Sequence, residues 1–483
     1  MGGGFVRYSL GTAFRALGWV LLAFAALALV WHEPVLGFLT GAAVGLGLGQ
    51  LLRMTGTPKA EPRRAEGLYI VATMWLLVPL IGALPYWIGG GVGLIDAYFE
   101  AMSGFTTTGA TILSDFGQWG KSLFLWRALS QWFGGVGIIV LFVAVLPHFA
   151  VAGRQLFFAE ATGVQKEKLT PRLRHTAEMV LRIYTLLTGL AVLGYWITGM
   201  SFYDALAHAL TTMPAGGFSP NPQSFAAYSP ASQWVAVVFM FFAGANFLLI
   251  ASTFFARSPR NPWRDPEFKI YTLAIVAAST ILAIYHVHLH DYALEPALRH
   301  AFFQVTSLLT STGFASVDYT QWVVPAQALL IFVMFVSGSA GSAAGGVKLV
   351  RWLVMTNHVI RELKRTLHPN AVLPLRLGAK AVGEDVLRSV SAFVMLYLFL
   401  FVLGTMVIVF TEHDLIVAFT ASAAFIGNVG PGLGSVGPMG SFADLHPLAK
   451  LVGIFQMWAG RIELIPVLLL FHPDTWRALR RAR

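Results

Sequence analysis

The sequence predicts an all-α polytopic membrane protein, with an N-terminal two-helix hairpin, four repeats around a common axis and about ten transmembrane helices. The first observation is composition: 56% of the 483 residues are hydrophobic and 12% are charged, whereas soluble domains carry about 25% charged residues. The second is that apolar runs of about 20 residues, enough to cross a bilayer as a helix, recur along the chain. The third is a short helix followed by a glycine-containing break, which occurs four times.

The apolar runs exclude an outer-membrane barrel, which would show short alternating segments instead. Examples are Ala13–Val30, Leu68–Ile88, Leu123–Leu146, Val235–Ala256 and Ser389–Phe410. The chain has no cysteine, so a disulfide, a thiolate metal site and a cysteine nucleophile are excluded. The sequence also offers no plausible set of nucleophile, base and acid, and an enzyme is not expected.

The net charge of +10 is distributed as in a membrane protein and does not indicate a nucleic-acid partner. Basic residues collect in alternate loops, whereas the other loops hold acids, and this pattern marks the basic loops as cytoplasmic. The basic groups are Arg53–Arg64, Arg154–Arg174, Arg257–Lys269, Lys348–Arg388 and Arg477–Arg483. We therefore expect a multi-pass protein of the bacterial inner membrane with both termini in the cytoplasm. The first apolar segment lacks a convincing cleavage site and is interpreted as retained.

The repeats follow a hairpin whose two apolar segments join through the short turn "WHEPVLG". Each repeat contains a long apolar helix, a short amphipathic helix, a Thr/Gly-rich break, a second long helix and a basic loop. The predicted boundaries are 1–60 for the hairpin and 61–153, 154–262, 263–375 and 376–483 for repeats 1 to 4, with an intramembrane gate loop in repeat 3.

The short helices are too short to span a bilayer, and each starts near an acid that suits a helix N-terminus. They are predicted at Ile95–Phe105, Phe202–Thr212, Pro296–Leu309 and Leu415–Phe425, and the breaks that follow centre on Gly109, Gly217, Gly313 and Gly430. A short helix, a break and a returning helix form a re-entrant loop, whose backbone must be buried by protein or line water. Four such loops are expected to meet at one axis near the outer side.

Backbone carbonyls around such an axis can replace the hydration shell of a monovalent cation. Glycine permits the necessary backbone conformation, and the negative C-terminal ends of the four short helices favour a cation. No Asp or Glu lies in the four breaks, whereas divalent sites more often use carboxylates. The pattern favours K⁺, Na⁺ or a similar ion; the alternative is a set of ordinary glycine-rich loops.

Four stretches resemble the Trk/Ktr/HKT superfamily of cation transporters, and most closely its bacterial Trk membrane subunits. They are "SGFTTTGAT" at Ser103–Thr111, "RALSQWFGGVGI" at Arg127–Ile138, "GSAGSAAGGVKLVR" at Gly338–Arg351 and "NVGPGLGSVGP" at Asn428–Pro438. The resemblance covers nearly the whole chain, including the hairpin that the shorter Ktr subunits lack. It implies four units of outer helix, pore helix and inner helix (M1–P–M2) around one pseudo-fourfold pore.

The resemblance also implies a selectivity filter with one glycine per repeat, and Gly109 at the first position favours K⁺ over Na⁺. The filter residues expected from it are Thr106, Thr107, Thr108, Gly109, Pro214, Ala215, Gly216, Gly217, Thr310, Ser311, Thr312, Gly313, Gly427, Asn428, Val429 and Gly430. The expected K⁺ contacts are at Thr107, Thr108, Ala215, Gly216, Ser311, Thr312, Asn428 and Val429. Pro214, Ala343 and Ala344 depart from the usual pattern of the family, although no filter glycine is lost.

The third repeat carries a run of Gly, Ser and Ala inside an apolar segment, where a stiff helix is not expected. Close helix packing through small residues is one interpretation; the resemblance implies an intramembrane gate. The run comprises Gly338, Ser339, Ala340, Gly341, Ser342, Ala343, Ala344, Gly345 and Gly346.

Arg461 lies in the last apolar segment, where a buried arginine usually faces a cavity or a partner. Glu463 is two residues away and points to a different helix face, so a pore-facing Arg461 below the filter is the preferred interpretation. The resemblance implies the same gating role.

The segment after the gate, "RWLVMTNHVIRELKRTLHP", predicts a cytoplasmic helix with a basic end. It serves either as an anchor or as a docking surface, and the resemblance implies a TrkA-like cytosolic nucleotide-binding ring as well as a homodimer in the lipid bilayer. The chain itself has no Walker A motif and no credible dinucleotide fingerprint. K⁺ as the transported ion and no organic cofactor are therefore expected.

Three alternatives remain at this point. The protein could be an H⁺- or Na⁺-coupled K⁺ symporter, although such transporters usually carry intramembrane carboxylates, whereas the acids here lie mainly at helix ends. It could also be a Na⁺-permeable cation transporter. "HVHLHD" (His286–Asp291) could bind a metal, but only its first and last histidines share a helix face, and a metal site is not expected.

Overall fold

The computed structural model describes residues 2–58, 64–140, 169–255, 261–289, 292–378 and 380–473. The hairpin consists of α1 (Gly2–Val30) and α2 (Leu36–Met54). The long helices of repeats 1 and 2 are α3 (Arg64–Gly82), α5 (Lys121–Val140), α6 (Leu169–Ile197), α8 (Pro230–Gly244) and α9 (Phe247–Phe255). Those of repeats 3 and 4 are α10 (Pro266–Leu289), α12 (Val324–Phe335), α13 (Leu349–Leu367), α14 (Glu384–Glu412), α16 (Pro447–Arg461) and α17 (Ile465–Phe471). A two-stranded antiparallel hairpin, β1 (Arg376–Leu377) and β2 (Lys380–Ala381), precedes α14.

The four short helices lie where the sequence predicts them. They are α4 (Leu94–Phe105), α7 (Phe202–Thr212), α11 (Leu294–Leu309) and α15 (Leu415–Gly427). Asp414 caps α15 by accepting from the amides of Ile416 and Val417, as expected of an acid at a helix start. Ser201 rather than Asp204 caps α7.

In the described part of the chain, six helices are long and apolar enough to cross a membrane, and two bent helix pairs bring the number to as many as eight. The six are α1, α2, α3, α6, α10 and α14. In repeats 1 and 3, the second long helix starts with α5 and α12, respectively. Each repeat therefore has an outer helix, a short helix and an inner helix, and the predicted hairpin with four M1–P–M2 units is confirmed.

The prediction of one continuous helix over Val235–Ala256 is wrong. The chain turns by 102° between α8 and α9, with Ala245 extended and the Asn246 side chain accepting from the Leu248 amide at 2.9 Å. Asparagine at this position caps the following helix and competes with helix continuation. The final segment is also broken, by 117° between α16 and α17, where Glu463 and Leu464 have φ angles of 71° and 54°.

The hairpin packs through close backbone approach. A Cβ at Gly45 would lie 3.0 Å from the Phe14 carbonyl oxygen, and one at Gly18 would lie 3.1 Å from that of Ala42. The hairpin is tied to repeat 1 by Glu33, whose carboxylate accepts from the Lys121 and Ser122 amides at 2.6 and 2.8 Å. A carboxylate here satisfies otherwise unpaired amides at the α5 N-terminus.

Candidate ion site and gate

Each short helix ends in the same backbone turn. In repeat 1, the Thr107 amide donates to the Gly104 carbonyl and the Thr108 amide donates to the Ser103 carbonyl, both over 2.9 Å. This pair of bonds is the Schellman ending of a helix, which requires a left-handed residue between them. The left-handed residues are Thr107, Ala215, Ser311 and Asn428, with φ between 51° and 57°.

The same backward bond recurs in the other three repeats: Gly216 to Thr211, Thr312 to Ser307 and Val429 to Ala424, at 2.8–2.9 Å. In these hydrogen bonds, amides of the segment that follows each short helix donate to carbonyl oxygens at the end of that same helix. The strand carbonyl oxygens are the groups left to interact across the axis.

The four glycines that follow these turns close a ring. Their φ angles are 85°, 79°, 81° and 100° for Gly109, Gly217, Gly313 and Gly430, a region that L side chains rarely adopt. A Cβ at Gly109 would collide with the Gly216 oxygen, one at Gly217 with the Thr312 oxygen, and one at Gly313 with the Val429 oxygen. A Cβ at Gly430 would lie 2.6 Å from the Thr108 oxygen, and the order 1–2–3–4–1 is complete.

All four glycines line one cavity of about 260 Å³. Its wall also includes Arg127, which is 1% exposed. The Arg127 guanidinium donates to Glu100 at 2.6 Å, to the Ser219 carbonyl oxygen and to Thr111 Oγ1. The buried Arg127–Glu100 pair leaves no net charge from these two side chains beside the cavity. Through the Ser219 carbonyl, Arg127 also joins repeat 1 to repeat 2. The sequence alone did not indicate this contact.

Hydroxyl pairs support two of the strands from behind. Thr106 Oγ1 and Thr108 Oγ1 lie 2.8 Å apart in repeat 1, and Thr310 Oγ1 and Thr312 Oγ1 lie 2.7 Å apart in repeat 3. In repeat 4, Asn428 Nδ2 donates to Thr108 Oγ1 and to the Met457 carbonyl, each over 3.0 Å. The hydroxyls of Thr106 and Thr108 and those of Thr310 and Thr312 therefore pair with each other, whereas Thr107 Oγ1 has no hydrogen-bond partner among the described residues.

The Gly/Ser/Ala run of repeat 3 forms a buried loop between α12 and α13, so close helix packing is not its structure. It fills the break between α8 and α9: Ser339 N donates to the Gly244 oxygen, Ala343 N to the Ala243 oxygen, and Phe247 N to the Gly341 oxygen. Backbone groups freed by a broken helix need such partners inside a membrane. The Gly345 amide donates to Ser311 Oγ at 2.6 Å, so the loop touches a strand of the ring directly.

Arg461 ends α16 beside this loop and is 3% exposed. Its Nη1 donates to the Ala343 oxygen at 2.8 Å, so Arg461 and the predicted gate loop are brought together. The Nε and Nη2 atoms have no hydrogen-bond partner among the residues that the structure describes.

Other charges surround the loop that sequence reasoning did not assign to it. Glu267, at the start of α10, accepts from the Ala340 amide at 2.7 Å. Lys348 Nζ donates to the Ala344 oxygen, and Arg351 forms a buried salt bridge with Glu463. In the sequence, Glu463 stands out as a carboxylate deep inside an apolar segment, which indicates that it has a partner. The partner could not be identified from the sequence because it lies 112 residues away.

The helix predicted after the loop is present as α13. One face exposes an apolar stripe made of Val359, Ile360, Leu363 and Leu367, and Arg361 on the same helix pairs with Glu384 at 2.6 Å. The first turn of α13 carries Arg351, so this helix joins an exposed surface to the buried charges around the loop.

The predicted basic loops that include Lys59, Arg154–Lys168, Arg257, Arg260 and Arg477–Arg483 lie outside the described residues, as do His290 and Asp291 of the histidine motif. His286 contacts the Trp322 ring at a centroid distance of 4.2 Å. Within the described ranges, no group of three or more His, Cys, Asp or Glu residues could hold a metal ion.

Known proteins share both this sequence and this fold. Residues 37–477 match the TrkH family, described as cation transport protein. The Trk system potassium uptake protein TrkH of Salmonella typhimurium is 38% identical over 90% of this chain and 91% of its own length. TrkG of Escherichia coli is 33% identical over 86% of both chains.

The crystal structure of the potassium transporter TrkH from Vibrio parahaemolyticus superimposes with a TM-score of 0.89. The match covers 98% of this chain and 99% of that one, at 33% identity. The family match spans α2, the four repeats and the loop, and the chain therefore belongs to the TrkH family of cation transport proteins.

Proposed function

We propose that this protein takes up K⁺ across the bacterial inner membrane through a gated pore whose filter is the ring of four strands. The single observation that carries the proposal is the closed ring of glycines and carbonyl oxygens, one strand from each repeat. Carbonyl oxygens can replace the hydration shell of a bare monovalent cation. The names of the relatives, potassium uptake proteins, support K⁺ as the ion. Membership of a transport family also means that the chain is not an enzyme.

In this proposal, the ion contacts the backbone at Thr107–Thr108, Ala215–Gly216, Ser311–Thr312 and Asn428–Val429. The loop of Gly338–Gly346 and Arg461 obstruct the pore beneath the ring, because a buried cationic side chain repels a permeating cation. A cytosolic nucleotide-binding ring acts on α13 and displaces the loop. The same proposal places both termini in the cytoplasm and the protein in a homodimer.

The deciding experiment measures K⁺, Rb⁺ and Na⁺ flux in proteoliposomes under an imposed voltage, with and without the cytosolic ring. K⁺ and Rb⁺ flux without any coupling gradient, larger with the ring present, is the expected result. Gly109→Ser is expected to weaken discrimination against Na⁺, and unchanged selectivity in that variant would contradict the filter assignment.

Coupled symport is the second candidate, and one observation favours it. Glu267 and Glu463 are 9% and 5% exposed beside the loop, and buried carboxylates of this kind carry coupling protons in many transporters. K⁺ flux that requires a proton or Na⁺ gradient would support symport over a channel.

A further inference from the structure

Strand 2 of the ring, Pro214–Gly217, lacks the pair of bonded hydroxyls that lies behind strand 1, Thr106–Gly109, and strand 3, Thr310–Gly313. Where repeats 1 and 3 have a pair of bonded threonines, repeat 2 has Pro214 and Gly216. Two adjacent glycines, Gly216 and Gly217, have the widest backbone freedom of any dipeptide. This strand therefore needs support from elsewhere if its carbonyl oxygens are to keep a fixed direction.

Gln131 supplies that support from the neighbouring repeat. Its side chain projects from α5 and is 0% exposed. Nε2 donates to the Gly216 carbonyl oxygen at 2.6 Å, and Oε1 accepts from the Phe218 amide at 3.2 Å. The carboxamide thus forms hydrogen bonds with the backbone on both sides of Gly217. Because one partner is an acceptor and the other a donor, they determine which carboxamide atom is nitrogen and which is oxygen.

The carboxamide also occupies the space of the missing side chain. A Cβ at Gly216 would lie 2.9 Å from Gln131 Nε2 and closer still to its Oε1 and Cδ. At the equivalent positions, Thr108, Thr312 and Val429 fill this space with their own buried side chains. A side chain at residue 216 would therefore require the Gln131 carboxamide to move out of this position.

We propose that Gln131 is a positioning residue that determines ion specificity. Its amide occupies the space of the side chain that strand 2 lacks and fixes the direction of the Gly216 carbonyl. The inference rests on the proposed filter, since a carbonyl direction matters to the ion only if the ring binds one. A filter selects between K⁺ and Na⁺ through the number and arrangement of its oxygens, so a freed Gly216 carbonyl weakens selectivity.

The permeability ratio of K⁺ to Na⁺ is the readout, because it does not depend on how many molecules fold. Gln131→Glu keeps the size but places a carboxylate oxygen against a carbonyl oxygen, and Gln131→Leu removes both bonds. Each is expected to lower the ratio by about tenfold, given the usual strength of a buried hydrogen bond and of the desolvated groups left behind. A ratio equal to that of the unaltered protein in both variants would overturn the proposal.

Gln456→Leu is the matched control. Gln456 is a buried glutamine of α16 that also donates to a backbone carbonyl, that of Leu400 at 2.9 Å, and to Ser422 Oγ; in the described part of the chain its hydrogen bonds go to these residues and not to the ring. We expect it to lower thermal stability as Gln131→Leu does, with the permeability ratio unchanged. An equal loss of ratio in the control would assign the effect to general destabilisation and overturn the proposal.

A size exchange completes the test. Gly216→Thr alone collides with the carboxamide, and Gln131→Ala alone leaves a void, so each is expected to lose selectivity. The double variant fills the space with threonine, the residue type found at this position in repeats 1 and 3. Its K⁺ to Na⁺ permeability ratio should exceed that of both single variants, a coupling that a double-mutant cycle detects. If the double variant does not recover selectivity, the proposal that Gln131 replaces the missing side chain of strand 2 is overturned.

The failure of this inference is distinguishable from failure of the proposed function. If Gly109→Ser changes selectivity while every Gln131 variant retains the original ratio, the filter stands and the role of Gln131 is wrong. If the unaltered protein does not discriminate between K⁺ and Na⁺, both are wrong.

Discussion

Two buried stretches of non-helical backbone meet inside this protein, and they are stabilised in different ways. The ring of strands is built four times from one device, a helix ending in a left-handed residue and a positive-φ glycine. In the described part of the chain, a loop of this kind is found in repeat 3, at Gly338–Gly346. Side chains from repeats 3 and 4 hold it, namely Glu267, Ser311 and Arg461. Repetition provides a ring of equivalent oxygens, whereas charged side chains provide contacts that can be broken together.

The difference predicts opposite responses to mutation. A change that displaces the backbone of the ring should reduce or degrade transport, because each strand abuts the next. A change in the loop or its anchors should increase basal flux, because those contacts stabilise the obstructing position. The following predictions test this contrast from the largest effect to the smallest.

Gly313→Val is expected to reduce K⁺ flux to background. Valine strongly disfavours a φ of 81°, and its side chain would collide with the Val429 oxygen of the next strand. Flux in proteoliposomes measures the effect. Gly47→Val in α2, where a Cβ meets nothing within 4 Å, is the control and should conduct normally. Normal flux in Gly313→Val would contradict the ring as an ion path.

Shortening the loop within Gly338–Gly346 should raise basal flux in the absence of the cytosolic ring by at least about tenfold, since several contacts of about 1 kcal/mol each are lost. The K⁺ to Na⁺ permeability ratio should change little, because the backbone of the glycine ring is held mainly by the bonds at its own helix ends. Unchanged flux would count heavily against a gate.

Arg461→Gln should raise basal flux by about tenfold. The neutral side chain loses a charged hydrogen bond to the Ala343 oxygen, and such bonds contribute about 1.5–3 kcal/mol. Single-channel or liposome recordings at low and high voltage measure the change. A fall in flux without a change in protein amount would indicate that Arg461 is purely structural.

Ser311→Ala should have the smallest effect, a rise in basal flux of up to about fivefold, because one hydrogen bond of about 1 kcal/mol joins Ser311 Oγ to the loop. Ser342→Ala is a control in the same region, since its side chain bonds only within the loop, accepting from the Ala344 amide at 3.3 Å. A larger rise in the control than in Ser311→Ala would contradict direct coupling between the ring and the loop.

Much of the fold could be predicted from sequence because its signals are local. The end of α4 at Phe105 and the start of α15 at Leu415 agree with prediction to the residue, since acids, glycines and hydroxyl residues bracket each short helix. The bend after Gly244 was missed because "AGAN" reads as small residues in an apolar run. The bend is stabilised by the Asn246 cap and by the loop, which donates to the Ala243 and Gly244 oxygens and accepts from the Phe247 amide.

The candidate site could be predicted in part, for the same reason. The segments that form the ring and the buried loop were singled out from their local composition and from resemblance. The partners of Gln131, Glu267 and Glu463 are 85, 73 and 112 residues distant in the sequence. No periodicity records such contacts, and a lone polar residue in an apolar helix shows only that some partner exists.

The closure of the ring has a consequence for biosynthesis. Strand 1 is completed by strand 4: Gly430 abuts the Thr108 oxygen, Asn428 donates to Thr108 Oγ1, and the Phe442 amide donates to the Thr111 oxygen at 2.8 Å. Since these residues lie more than 300 positions apart, a nascent chain that has inserted three repeats holds an open arc with exposed backbone at membrane depth. Ribosome-arrested chains ending before residue 376 should therefore engage insertion chaperones longer than full-length chains do, and release should coincide with emergence of the last repeat.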